Sequence, residues 1–413
     1  MKRILITILI LLAACAAWAG TEKVANVMDF GAKGDAIADD TLAFKKAIIA
    51  SREQKIPVFA PRGNYRITDT LELMDQSLKG GEPGGWNADA TPMARLFIDQ
   101  EKGPGVHMKD YSSLYGIAIV YSENKLDTHF PPAIYLDGNG INIQNLRLQY
   151  CWDGIACNPK NGPGRVNIEN VFVVSCGGCA VTITGTLDIP TLRNIEVWNN
   201  LNRPNVTAFR FGYNDGISCW RLFSMNNQTG FQTIDPPKEW PFGDTGSWGT
   251  FVDCATDATS ISWDIQGKAK HQLGITGGLY WGHHKFLQVT NPNADVTVSG
   301  CQLSDNGDSA IHLADAGDII LSGCRFGRSQ ECQYPFIRAE KGKSLIVTGC
   351  SFSERSSVLS IYEGMEMLSF TGNIIKPSEY PFLLEDRRSG TAAVTIANNT
   401  GNTDSVGKPA DGQ

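Results

Sequence analysis

The richest run of chemically capable side chains in this sequence is Tyr280-Trp281-Gly282-His283-His284-Lys285. Imidazole titrates near neutral pH and is a natural proton shuttle. Two imidazoles beside an indole and an ammonium group suit work on a polar substrate. Asp257 lies one repeat upstream and Asp305 one repeat downstream, with Arg328 beyond them. Two carboxyl groups are what glycoside hydrolysis uses, one as acid and one as base or nucleophile, set further apart for inversion than for retention. Elimination next to a uronate instead needs a base, for which His284 or Lys285 would serve. It also needs a positive charge on the uronate, from Arg328 or Ca²⁺. Trp198, Trp281, Trp240 and Trp248 offer ring faces on which the apolar faces of sugars stack. Taken singly, each carboxylate also reads as a solvated turn residue, and each tryptophan as packing under a loop.

A repeat positions these residues. An apolar residue p is followed by inward positions at p+3 and p+5, with p at Ile143, Ile168, Leu192, Cys219, Phe251, Ile275, Val298, Leu321, Val347, Phe370 and Ile396. Strand side chains alternate with period two, so a step of three marks a bend. Position p+2 is Asn, Asp or Gly in ten of these eleven rungs, and those residues tolerate the left-handed conformation that a bend needs. The repeat is mostly 23 to 27 residues long, with no helical periodicity between frames. This predicts an all-β, single-stranded right-handed parallel β-helix of eleven or more rungs. Rungs stack at about 4.8 Å, giving a rod of roughly 50 Å. All eleven p residues are expected to be buried. Cys301, Cys324 and Cys350 stack inside, continued by Asn373 and Asn399. Cys151 and Cys176 are spaced for a disulfide, which the spacing alone leaves open. Position p+6 points outward and places Trp198, Asp257 and Trp281 in one column, with His283, His284, Asp305 and Arg328 beside it. A cleft is therefore expected from Trp198 to Arg328, walled by an insertion over 234–249. Asp257 and Asp305 fall two rungs apart, roughly 10 Å along the rod.

Near the N-terminus, Val27-Met-Asp-Phe-Gly-Ala-Lys-Gly-Asp35, then Asp39-Asp40-Thr41-Leu-Ala-Phe-Lys-Lys-Ala-Ile48 and Val58-Phe-Ala-Pro-Arg-Gly-Asn-Tyr65, resemble the opening of the pectate-lyase-like superfamily. That group includes family-28-type glycoside hydrolases, polysaccharide lyases, alginate epimerases and phage tailspikes. The resemblance implies the β-helix fold and a polysaccharide partner, with Val58–Tyr65 as the first strand of the helix. Asp39 or Asp40 would N-cap a helix over 41–52 that covers the first rung, with Leu42, Phe44, Ala47 and Ile48 facing the rod. The motifs of the superfamily's polygalacturonases are not matched: Gly282-His283-His284 is not G-H-G, and no Asp-Asp pair follows Asp215.

Hydrophobic residues make up 42% and charged residues 19%, a globular composition. The net charge of −7 argues against a nucleic-acid binder. Met1-Lys2-Arg3, an apolar run from Ile4 to Ala14 and Ala17-Trp18-Ala19 read as an export signal over 1–19. Leu12-Ala13-Ala14-Cys15 also matches a lipoprotein signal, in which Cys15 would carry a lipid anchor. The β-helix is expected over 20–401 and a tail over 402–413. No later run is long and apolar enough for a membrane span. The expectation is an exported, periplasmic or extracellular carbohydrate-active enzyme without a cofactor. Hydrolysis is its first reading, elimination on a uronate polymer (with Ca²⁺) its second, and a non-catalytic binding or adhesion rod its third.

Overall fold

The computed structural model describes residues 23–81, 93–160, 162–236, 243–282, 284–304, 307–328, 332–353, 357–376, 384–388, 393–401 and 406–407. They form a right-handed parallel β-helix of about 13 turns. Every strand pairing among them is parallel and joins one turn to the next, on three faces. In one turn Ile134–Leu136 supplies face one. Asn142–Gln149 then supplies face two, bends at Asn145, and supplies face three. The next turn stacks in register, with Ile134 opposite Ile155, Ile143 opposite Ile168 and Leu148 opposite Val173.

The bend is where the frame placed it. All eleven p+2 residues, from Asn145 to Asn398, have φ between 51° and 68°. Asparagines there also tie rungs together: Asn170 Nδ2 donates to Asn145 Oδ1 at 3.0 Å, and Asn194 Nδ2 to Asn170 Oδ1 at 2.7 Å. Ten of the eleven p residues are buried, and Val298, Leu321 and Val347 stack in direct register. The exception is Ile396, 36% exposed, because its strand pairs on one side only among the described residues. Inside the bend the Cys–Asn column is a hydrogen-bonded ladder. Cys324 N–H donates to Cys350 Sγ at 3.4 Å, Cys350 N–H to Asn373 Oδ1 at 2.9 Å and Asn373 N–H to Asn399 Oδ1 at 2.9 Å. Cys151 and Cys176 are buried thiols and form no disulfide. Burial pushes the Cys151 thiol up to about 12.

The helix α1 spans Thr41–Gln54 and covers the N-terminal end. Phe44, Ala47 and Ile48 face the rod, but Leu42 is 62% exposed, because the buried stripe runs through Ala43 instead. Asp39 Oδ1 accepts the Thr41 N–H at 3.0 Å. The Asp40 carboxylate is used elsewhere, accepting the N–H groups of Lys33 and Gly34. Strands precede the expected first one, since Ala25–Asn26 already pairs with Val58–Phe59. At the other end Val406–Gly407 pairs with Leu384–Glu385, so the solenoid continues past the expected limit at 401. The export signal over 1–19, with Cys15, lies outside the described residues. No helix among the described residues is long and apolar enough to cross a membrane.

Candidate functional site

On face one, Thr182, Arg210, Gln232, Asp264, Gln288, His312 and Arg338 occupy successive outward positions. Beneath them is a rigid aromatic floor. Phe209, Phe231 and Trp263 stack inside the rod with centroids 5.1 and 4.2 Å apart and planes within 14°. Packed rings fix the strands, and the strands fix the polar row above them. Arg210 Nε donates to Gln232 Oε1 at 3.0 Å, Gln232 Nε2 to Asp264 Oδ2 at 3.4 Å and Gln288 Nε2 to Asp264 Oδ1 at 3.2 Å. Asp264 is thus held on both oxygens by neutral amides, on the outside of a sheet, while only 8% exposed. Burial raises its pKa above the usual carboxylate value, against the lowering effect of the two amides and of Lys285.

The corner between faces three and one adds charge. Lys285 Nζ lies 3.3 Å from Asp308 Oδ2 and donates to Gln288 Oε1 at 3.3 Å. Further along, Asp153 accepts the Cys179 N–H at 2.7 Å and lies 3.8 Å from His129 Nε2. Burial raises the Asp153 pKa, and Arg210 and His129 oppose that shift. The opposite edge of face one carries the stem of the insertion, where Asp235 Oδ1 accepts the N–H groups of Lys268 and Ala269. Face one is therefore flanked on both sides. Among the described residues no three His, Cys, Asp or Glu side chains are gathered as metal ligands.

The site expected from spacing divides between two faces. Trp198, Asp257 and Trp281 do share the outward column of face three. Trp198 packs edge-on against Phe172 at 5.6 Å, whereas Trp281 is 50% exposed. His284 sits exposed at the corner, its N–H donating to Ser260 O at 3.0 Å. Lys285 begins a face-one strand. Arg328 corrects the expectation of a cation on the substrate. It is buried, donates to Asp308 O and Tyr334 O at 2.7 Å each, and lies over Phe336 at 4.6 Å. It is a strut that holds the loop bearing Asp308. The insertion does not wall face three, because it leaves between faces one and two. Trp248 lies there, 45% exposed and on a strand of face two. Trp240, His283 and Asp305 lie outside the described residues. Face three carries its own open groove of about 790 Å³, lined by residues from Gln302 to Lys376.

The face-one row escaped the sequence reading, although a signal was present. Phe209-Arg-Phe211, Phe231-Gln-Thr233, Trp263-Asp-Ile265, Leu287-Gln-Val289 and Ile311-His-Leu313 each set one polar residue between inward ones, once per repeat.

Two family models match the chain. Residues 24–90 match "Rhamnogalacturonase A/epimerase, pectate lyase-like", and residues 281–404 match "Right handed beta helix region". The fold is that of the pectate-lyase-like right-handed β-helices. Among solved structures, the A-module of the mannuronan C-5 epimerase AlgE6 of Azotobacter vinelandii superposes with a TM-score of 0.54 at 14% identity, covering 91% of this chain and 99% of that one. The N-terminal fragment of bacteriophage Phi29 gene product 12 gives 0.61 at 13% identity, covering 91% and 70%. The lidless DFA-IIIase of Arthrobacter chlorophenolicus A6, in complex with GF2, gives 0.57 at 10% identity, covering 92% and 99%. At these identities the likeness is one of fold. A curated relative, the preneck appendage protein of Bacillus phage PZA, is 29% identical over 206 residues. That match takes in 47% of this chain and about a fifth (21%) of the relative.

Proposed function

We propose that this pectate-lyase-like protein is an exported enzyme that hydrolyses glycosidic bonds of a polysaccharide laid on face one. The observation that carries the reading is Asp264, a carboxyl group on the outer surface, raised in pKa by burial and oriented by two glutamines. A carboxyl group with a raised pKa is what a glycosidase needs in its acid. Asp264 would donate that proton to the departing glycosidic oxygen. Asp308 lies at the adjoining corner, its carboxylate 3.3 Å from Lys285 Nζ, and Lys285 bonds to Gln288, which in turn bonds to Asp264. Asp308 would take the proton of the attacking water, held in place by Lys285 and by the Arg328 strut. That arrangement predicts inversion at the anomeric carbon. Elimination is less well served: Lys285 is engaged by Asp308 and Gln288 and poorly placed to take a substrate proton, leaving exposed His284 as base. The carbohydrate part of the reading draws support from the similar structures, one named as a mannuronan epimerase and one as a DFA-IIIase in complex with GF2. The export part rests on the signal over 1–19.

The test is turnover of a polysaccharide panel by the purified protein, followed by both reducing ends and unsaturated products. Hydrolysis yields the first without the second. On a confirmed substrate, Asp264→Asn and Asp308→Asn should each lower kcat about 10²–10⁴-fold. Asp257→Asn is the discriminating control: a centre on face three would lose turnover with it, and a centre on face one would not. Full activity in Asp264→Asn would refute the reading, and binding without any product would favour the adhesion rod.

A further inference from the structure

Face three carries a groove that the hydrolytic reading does not use. It runs along the rod from the rung of Gln302 to that of Lys376, three rung spacings or about 14 Å, with Trp281 on the next rung. Its register is continuous: Trp281 pairs with Ser304, and Gln302 with Arg325, whose strand leads on to Ile374. Two exposed apolar side chains bracket it, Ile374 (56%) in its last rung and Trp281 (50%) one rung before its first. Between them lie an amide, hydroxyls and the exposed guanidinium of Arg325, with the Lys376 ammonium at the far end. No carboxylate is among the described residues that line this groove, although the chain has a net charge of −7. Asp257 lies one rung outside Trp281, beyond its end.

We infer that this groove is a non-catalytic binding site for an extended stretch of anionic glycan. A linear chain would lie along the rungs, stacking a ring on Trp281 and directing its carboxylates or sulfates to Arg325 and Lys376. An open, elongated, polar trough suits a chain better than a compact ligand, and a positive floor on an acidic protein selects for charge on that chain. A guanidinium pairs bidentately with carboxylate and with sulfate alike. The site lies on a different face from Asp264, so a polymer held here would be tethered while another stretch occupied face one.

The experiment reads binding alone and does not depend on turnover. The full chain is run by affinity electrophoresis in gels containing polygalacturonate, dextran sulfate or uncharged dextran, at low and high salt. Retardation by an anionic polymer, weakened by salt and absent in dextran, is expected. Retardation by polygalacturonate alone identifies carboxylate as the recognised group, by dextran sulfate alone sulfate, and by both charge itself. Arg325→Glu should weaken the interaction at least tenfold and Trp281→Ala several-fold, with melting temperatures unchanged because both side chains are exposed. Arg325→Gln serves if the reversal disturbs folding. Asp264→Asn should bind like the wild type. The inference is overturned if no polymer retards the protein, if dextran does so equally, if the groove variants bind like the wild type, or if Asp264→Asn alone abolishes binding.

Discussion

In the proposed mechanism Asp264 couples activity to stability in opposite directions. Its folded pKa is raised, so between the unfolded value and the folded one the native state holds the extra proton. Stability contributed by that proton is present at low pH and falls as pH rises through the raised value. Asp264→Asn keeps the shape and removes the ionisation, so it should raise the melting temperature at neutral pH while lowering turnover as above. An equal loss of both would mean the carboxylate is structural. His271 has the reverse sign. Buried, with Nδ1 accepting the Ser247 N–H at 2.9 Å, it is pushed down to about 4. The unfolded chain takes up its proton first, so stability should fall as pH drops from about 6.5 towards 4, by up to about 3 kcal/mol. His271→Gln, followed by denaturant melts across that range, should flatten the dependence. Neither group stood out in the sequence. Lys285 and His284 were legible because they sit in a dense polar cluster. Asp264 sits alone between Trp263 and Ile265, and what makes it special is burial by flanking segments that no local pattern records.

The bends and their ladders are the elements that the sequence declared most plainly. The step of three located eleven left-handed bend residues, ten of them Asn, Asp or Gly and the eleventh Arg221. Gly323 shows that conformation, not space, selects these residues. A Cβ there would meet nothing within 4 Å, yet φ is +61°. Gly323→Asn should therefore melt close to the wild type, as asparagine already serves at Asn145, while Gly323→Val should cost about 1–2 kcal/mol or more. Asn373 is the more sensitive position. Its amide accepts from Cys350 N–H and donates to Val347 O at 3.1 Å, both inside the rod. Asn373→Leu leaves those two backbone groups unpaired and should cost about 2–5 kcal/mol, readable by chemical denaturation. The turn before Ile143 keeps the same frame, with Leu114 at p, Gly116 at φ +67° and Ile117 and Ile119 buried, and it was missed in the sequence. Leu42 was misplaced because a single helical turn has room for either neighbour to face inward.

For the whole molecule, the repeat fixed the three faces but not which of them works. Large outward residues drew attention to face three, where Trp281 is exposed. The hydrogen-bonded polar row that holds Asp264 belongs to face one, and the corner from which the insertion leaves depends on turn lengths rather than residue types. The rod thus presents a polar row with a buried carboxyl group on one face and a groove with an exposed guanidinium on another. Each turn touches only the turn above and the turn below, so its stability is close to a sum of nearest-neighbour terms. Because every ladder is parallel and the strands lie across the axis, the backbone hydrogen bonds point along the length of the rod. Pulled apart by its two ends, the molecule would bear load on one rung's bonds at a time, like a zip fastener rather than a rope. Optical tweezers should then record a train of small, similar force drops, each releasing one turn of about 24 residues, or about 80 Å of chain. A single large rupture would show instead that the turns fail together.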